Sequence, residues 1–206
     1  FKHSFFDWLS DNFNEVYLIP GNHEYYGGFD IENAYPKLEF EIRKNVIMLN
    51  NTSIEGDGYK LIFSTLWSNL QRNIGFIRLT MADFNFIKRR GMNITTDGYN
   101  ELFQASLKFL STSLTNSDKI NVVITHHLPS ALCYNSYIKD IFLEDAYYTN
   151  LEGFIKSHQI QYWIHGHCHW NRDSIQIGNT LLLTNQLGYV HQGEHYSFVA
   201  DKCINI

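Results

Sequence analysis

Residues 17–26 read YLIPGNHEYY, an apolar run that stops at Pro20 and Gly21 and is followed at once by Asn22, His23 and Glu24. The run is a short buried strand, expected over 15–19, with the three polar side chains at its carboxyl end. In α/β folds, ligands bind where the carboxyl ends of strands open into loops. Two later stretches repeat the arrangement, INVVITHHLP (120–129) and QYWIHGHCH (161–169). Six of the ten histidines lie in these three windows, so they read as parts of one site and not as scattered surface residues.

The surrounding pattern is that of an α/β chain. An amphipathic helix is expected over 1–13, with Phe5, Trp8 and Leu9 on one face and Ser4 as its cap. A second helix is expected over 30–44, broken or restarted at Pro36, followed by strands at 45–50 and 59–67. The stretch 79–115 reads as mostly helical, interrupted around FIKRRGMN and TTDG. A strand over 120–127, an irregular Tyr-rich segment over 128–150, a helix over 151–158 and a strand over 161–167 follow, and closing strands are expected from NTLLLTN to the C-terminus. Strands alternating with helices make a layered α/β fold, and the strand-rich tail implies mixed pairing.

The 206 residues are 44% hydrophobic, enough for one substantial core and short for two ordinary domains, so a single domain over 1–206 is expected. Sixteen basic residues against 21 acidic ones leave a formal charge of -5, which provides no basic field for a nucleic-acid backbone. Cys133, Cys168 and Cys203 are odd in number and lack disulfide-like spacing, which fits a reducing, cytoplasmic setting. No signal peptide is visible and no apolar run approaches the length needed to span a membrane.

Spacing narrows the chemistry. His167 and His169 lie two apart, so in extended backbone both project to one side while Cys168 points away as a packing residue. Along VVITHH, His126 and His127 fall on opposite faces of a regular strand, so one of them faces a common site and the other faces the core or supports the first. Gly21 and Gly166 permit the tight turns that bring a loop close to an ion. Asn22, His126, His167 and His169 are neutral donors suited to Mn, Fe or Zn, and His23 is placed to handle protons.

GNHE, a histidine closing an apolar strand, then GHCH, in that order, resembles the second half of the motif of the calcineurin-like metallophosphoesterase family. The resemblance runs from about residue 15 to 189 and includes NQLGY, similar to the family's Asn-Pro-x-Gly-Tyr with Gln186 in place of proline. It implies a layered β-sandwich flanked by helices, two divalent metal ions, and hydrolysis of a small phosphorylated substrate, a monoester or diester, by a metal-activated hydroxide. It also implies that Asn22, His126 and His167 bind one ion, that His169 binds the second, and that His23 protonates the leaving oxygen.

The first half of that motif, Asp-x-His and then Gly-Asp-x-x-Asp or Gly-Asp-x-x-Asn, does not occur ahead of GNHE; GDGY (56–59) comes after it, in a turn-like segment. Two cations close together also call for carboxylates, and none stands out beside the neutral donors. Opening strands are therefore expected upstream of Phe1. Trp67, Asp83 and Asn85 are candidates to line the pocket, and Lys88, Arg89 and Arg90 to hold a second phosphate or to form a solvated surface. Two other readings compete: a single structural zinc held by His126, His167, His169 and a fourth ligand, and a degenerate family member serving as an interaction module. Intact Asn22 and His23 argue against the latter.

Overall fold

The computed structural model describes residues 2–114, 118–134 and 141–206. The elements in order are α1 (Phe5–Asn12), β1 (Val16–Leu18), β2 (Leu38–Arg43), β3 (Val46–Asn50), β4 (Thr52–Glu55), β5 (Tyr59–Ser64), α2 (Ile74–Thr80), α3 (Asp83–Phe86), β6 (Lys88–Arg89) and β7 (Met92–Asn93). They continue with α4 (Thr96–Ser113), β8 (Ile120–Thr125), α5 (Glu144–Tyr147), α6 (Glu152–Ser157), β9 (Tyr162–Ile164), β10 (Ile175–Ile177) and β11 (Thr180–Leu183). Two sheets carry the fold: a six-stranded one in the order β10-β11-β9-β8-β5-β4 and a three-stranded one in the order β1-β3-β2.

In the larger sheet β5, β8, β9 and β11 run parallel, with antiparallel strands at both edges. Their register aligns Ile62, Val123, Trp163 and Leu182 in one row across the sheet, and all four are buried in the main core. A slip of one residue would turn the whole row to the opposite face, so burial of this row fixes the register. Tyr99, Leu102, Phe103 and Leu110 of α4 and Ile155 of α6 join the same core. The helix α4 starts where the Thr95 hydroxyl accepts from the Gly98 N–H at 3.0 Å, and its apolar residues recur at helical spacing. On the other face Phe63 meets Tyr17 of β1, ring centroids 5.5 Å apart, where the smaller sheet packs.

Several expectations are corrected. The helix expected over 30–44 is one 3-10 turn, Ile31–Ala34, followed by β2, whose backbone pairs with β3. Tyr35 and Pro36 stop the helix, and the alternation of Leu38, Phe40 and Ile42 suits a strand. The interruption at FIKRRGMN is the hairpin β6–β7, turned by Arg90 and Gly91, both at positive φ. On α1, Phe6 and Leu9 pack against Ile42, Val46 and Met48, whereas Phe5 and Trp8 are exposed and stack on each other. Ser4 makes no cap; His3 Nδ1 accepts from the Phe5 N–H instead. The tail beyond Leu183 forms 3-10 turns at Val190–Gln192 and Glu194–Ser197 where closing strands were expected, with Gly193 at positive φ between them. Of the Tyr-rich segment, residues 135–140 lie outside the described residues. Among the described residues, no helix is long and apolar enough to cross a membrane.

Trp163 ties this core to the strand ends: it is fully buried and its indole donates to Thr125 Oγ1 at 2.9 Å. Trp163→Ala is expected to lower stability by about 3–5 kcal/mol. Trp163→Phe keeps most of the burial and is expected to cost nearer ~1 kcal/mol. Urea unfolding of the two variants measures the difference.

Candidate metal centre

The parallel strands deliver their following loops to one edge, where backbone hydrogen bonds lace the loops side by side. The Thr65 hydroxyl donates to Pro20 O at 2.9 Å, the His127 N–H to Thr65 O at 3.1 Å, and the Gly166 N–H to His126 O at 3.1 Å. The loops after β1, β5, β8 and β9 are thereby held as neighbours. They open into a cavity of about 520 Å³ whose lining includes Asn22, His23, Asp83, His126, His167 and His169.

At its centre three donors converge. His126 Nε2 lies 3.1 Å from Asn22 Oδ1 and 3.0 Å from His167 Nδ1. The outer nitrogen of His167 is 3.3 Å from Ala146 O, which fixes the proton on Nε2 and leaves the Nδ1 lone pair facing His126. The amide of Asn22 is fixed in the same sense, because its Nδ2 donates to Asp83 Oδ1 at 2.9 Å and its oxygen turns inward. Ligands about 2.1 Å from one cation at right angles stand about 3.0 Å apart, so this donor set fits a divalent ion.

Electrostatics keep the cluster neutral. Burial, then the neighbouring His167, hold His126 well below the usual histidine value, and burial takes His167 down to about 4. Neutral imidazole is the ligating form. His127 is core: its Nε2 meets the Tyr99 hydroxyl at 3.1 Å, its Nδ1 meets Thr65 O at 3.2 Å, and its ring backs that of His167 at 4.3 Å between centroids. Gly21 is required by the close approach, since a Cβ there would stand 2.5 Å from His126 Cε1.

The structure departs from the spacing argument at GHCH. His167 and His169 have φ of 72° and 55°, so the backbone is not extended and the two side chains do not form an i, i+2 pair. His169 instead turns its Nδ1 to Glu194 Oε2 at 3.1 Å, while its N–H donates to Gln186 Oε1 at 2.7 Å. Positive φ in two non-glycine cavity residues on either side of Cys168 is strain of the kind concentrated at functional loops. Among the described residues, no three His, Cys, Asp or Glu side chains gather to hold an ion by themselves.

His23 starts a 3-10 turn, is exposed in the cavity, and has its ring 4.5 Å from that of Tyr26. Glu24 also lines the cavity, and its carboxylate accepts from the Gly21 N–H at 2.6 Å. Cys168 is a buried packing residue. Of the other pocket candidates, Trp67 is core and Asn85 lies at a different cavity, while Asp83 lines the site. In the basic run Arg89 bonds Glu32 and Glu101, Arg90 reaches Glu32 at 3.5 Å, and Lys88 bonds the Asn93 amide oxygen. Sequence reasoning offered Asp83 as a pocket residue but not as the partner of Asn22, and it did not find Glu194, Tyr26 and Tyr189. Asp83 is 61 residues from Asn22, and no spacing rule connects them.

His165 is buried, its Nδ1 has no hydrogen-bond partner, and burial takes its pKa from 6.5 down to about 4. It touches none of the converging donors. The unfolded chain binds its proton first, so its contribution is full above pH 6.5 and is lost as the pH falls through 4, a swing of about 3 kcal/mol. His165→Gln is expected to flatten the fall of stability between those pH values, measured by urea unfolding at pH 7 and pH 4.5.

A model of the family described as calcineurin-like phosphoesterase matches residues 1–171. An uncharacterized protein of Acanthamoeba polyphaga mimivirus is 30% identical over 213 residues, covering 94% of this chain and 75% of that protein. A solved crystal structure, 18% identical, superposes with a TM-score of 0.52 over 92% of this chain, which spans 63% of that longer chain. That identity speaks for the fold alone, and the fold agrees: mixed sheets flanked by helices. By the family match over most of its length, this chain belongs to the calcineurin-like phosphoesterases, a family of generally metal-dependent phosphoester hydrolases that bind divalent metals.

Proposed function

We propose that the protein hydrolyses a phosphoester at a two-cation centre, with Asn22, His126 and His167 holding one ion, His169 contributing to the second, and His23 acting on the leaving group. The convergence of Asn22 Oδ1, His126 Nε2 and His167 Nδ1 within 3.0–3.1 Å carries this reading. When bound, a pair of divalent ions lowers the pKa of water toward neutrality and offsets charge on the phosphoryl oxygens. This chain's residues do the rest. The half-buried imidazoles of His126 and His167 stay neutral and available, the Ala146 carbonyl keeps the His167 proton on Nε2, and exposed His23 reaches the cavity from the side of Tyr26. His23 in its protonated form would give a proton to the departing alkoxide.

The cavity lining favours a substrate with a single phosphoryl group. Its described lining residues include the carboxylates Glu24, Asp83 and Glu194 and the rings of Tyr26, Tyr147 and Tyr189, but no lysine or arginine. A polyphosphate would gain no cationic partner there, whereas a ring or apolar leaving group would meet the tyrosines.

The test is Mn-dependent release of p-nitrophenol from p-nitrophenyl phosphate and its diester by the full-length protein. His167→Ala is expected to weaken Mn binding at least tenfold by calorimetry and to abolish turnover. Gly21→Ala is expected to weaken binding by displacing the His126 ring. Unchanged Mn affinity in both variants would sink the assignment. His23→Asn is expected to cost about 10²–10⁴ in kcat on an alkyl phosphate and much less on p-nitrophenyl phosphate, whose leaving group needs no proton. Pyrophosphate and nucleoside triphosphates are expected to be poorer substrates than monoesters in kcat/KM.

A further inference from the structure

We infer that Asp83 is a positioning residue of the metal centre, holding the Asn22 amide with its oxygen toward His126 and seating the Tyr26 ring beside His23. The inference rests on the reading of Asn22 as a ligand. Asp83 opens α3, in the stretch between motifs, and is 1% exposed. One of its oxygens, Oδ1, accepts both from Asn22 Nδ2 at 2.9 Å and from the Tyr26 hydroxyl, while Oδ2 is buried without a hydrogen-bond partner.

An asparagine amide has two ends of nearly equal size, and only its hydrogen bonds decide which end faces inward. Asp83 Oδ1 acts as an acceptor toward both of its partners, so it binds the NH2 end of the amide. The oxygen must then face His126 Nε2, where it stands at 3.1 Å. Without that acceptor the amide is free to turn its NH2 group into the cluster, which no cation accepts. The same oxygen holds Tyr26, whose ring is 4.5 Å from that of His23 and 5.3 Å from that of Phe86. Asp83 therefore links the GNHE loop to α3. It also places a carboxylate one hydrogen bond behind a neutral ligand, an arrangement that raises ligand basicity toward a cation.

Asp83→Ala is expected to weaken Mn binding about 10–100-fold by calorimetry. Asp83→Asn, whose amide oxygen can take over the acceptor role, is expected to recover most of that loss. A double-mutant cycle keeps the test independent of how well Asp83→Ala folds. N22D sets two carboxylates against each other, so D83N added to N22D is expected to raise Mn affinity, whereas D83N alone does not. Additivity of N22D and D83N, or an Asp83→Ala protein that binds Mn like the wild type, would overturn the inference. If Asn22→Ala binds Mn as tightly as the wild type, or the wild type binds none, the site assignment fails as well. Loss of Mn in Asn22→Ala with none in Asp83→Ala would leave that assignment standing and remove only this inference.

Discussion

The parallel hydrogen bonding of β5, β8, β9 and β11 sets Phe63, Ile124, Ile164 and Leu183 level with one another, and the loops that follow leave from that line. The row beside it, Ile62, Val123, Trp163 and Leu182, is buried against the helices and cannot change faces without emptying the core. Thr65, His126, His127 and Gly166 are therefore brought to one edge by a hydrophobic constraint and then fixed by backbone bonds between adjacent loops. Pro20 is drawn in from the smaller sheet by the Thr65 hydroxyl. The geometry of the donor cluster follows from the packing of apolar residues that never touch it.

Burial does a second job at this edge. It removes water from His126, His127 and His167 and so disfavours their protonated forms, leaving nitrogen lone pairs directed by local acceptors. Each ring has a distinct assignment: His127 is satisfied by Tyr99 and Thr65, His167 is oriented by Ala146, and His126 faces both Asn22 and His167. The neutral cluster leaves a charge deficit for any cation. The nearest described compensation comes from carboxylates one hydrogen bond away, Asp83 behind Asn22 and Glu194 at His169. These partners come from α3 and from the tail, the parts of the chain whose pattern says least about chemistry.

The basic run shows why charge in a sequence is ambiguous. Lys88, Arg89 and Arg90 lie next to the short helix that supplies Asp83, yet Arg89 is largely covered and bonded to Glu32 and Glu101. Its role is to lock the β6–β7 hairpin against the 3-10 turn at Ile31–Ala34 and the start of α4. Asp83, a few residues earlier, faces the cavity instead. Neighbours in sequence thus serve the scaffold and the site separately, and which does which depends on the direction in which a one-turn helix points.

The sequence by itself determined the α/β class, the four strands that form the parallel array, and the placing of the histidines in loops at three strand ends. Apolar runs ending in Gly, His and Asn are local signals with a direct physical meaning. It also singled out Asn22, His126 and His167, which the structure brings together, because residues in a strand-end loop are close in number to the strand that carries them. Tertiary structure alone decided that 38–43 is a strand, since β2 exists through pairing with β3 and through burial of Ile42. It alone turned His169 toward Glu194, through two residues at positive φ that no extended-chain rule anticipates. And it alone joined Asp83 to Asn22 across 61 residues, since a hydrogen bond between buried side chains leaves no periodicity in the chain.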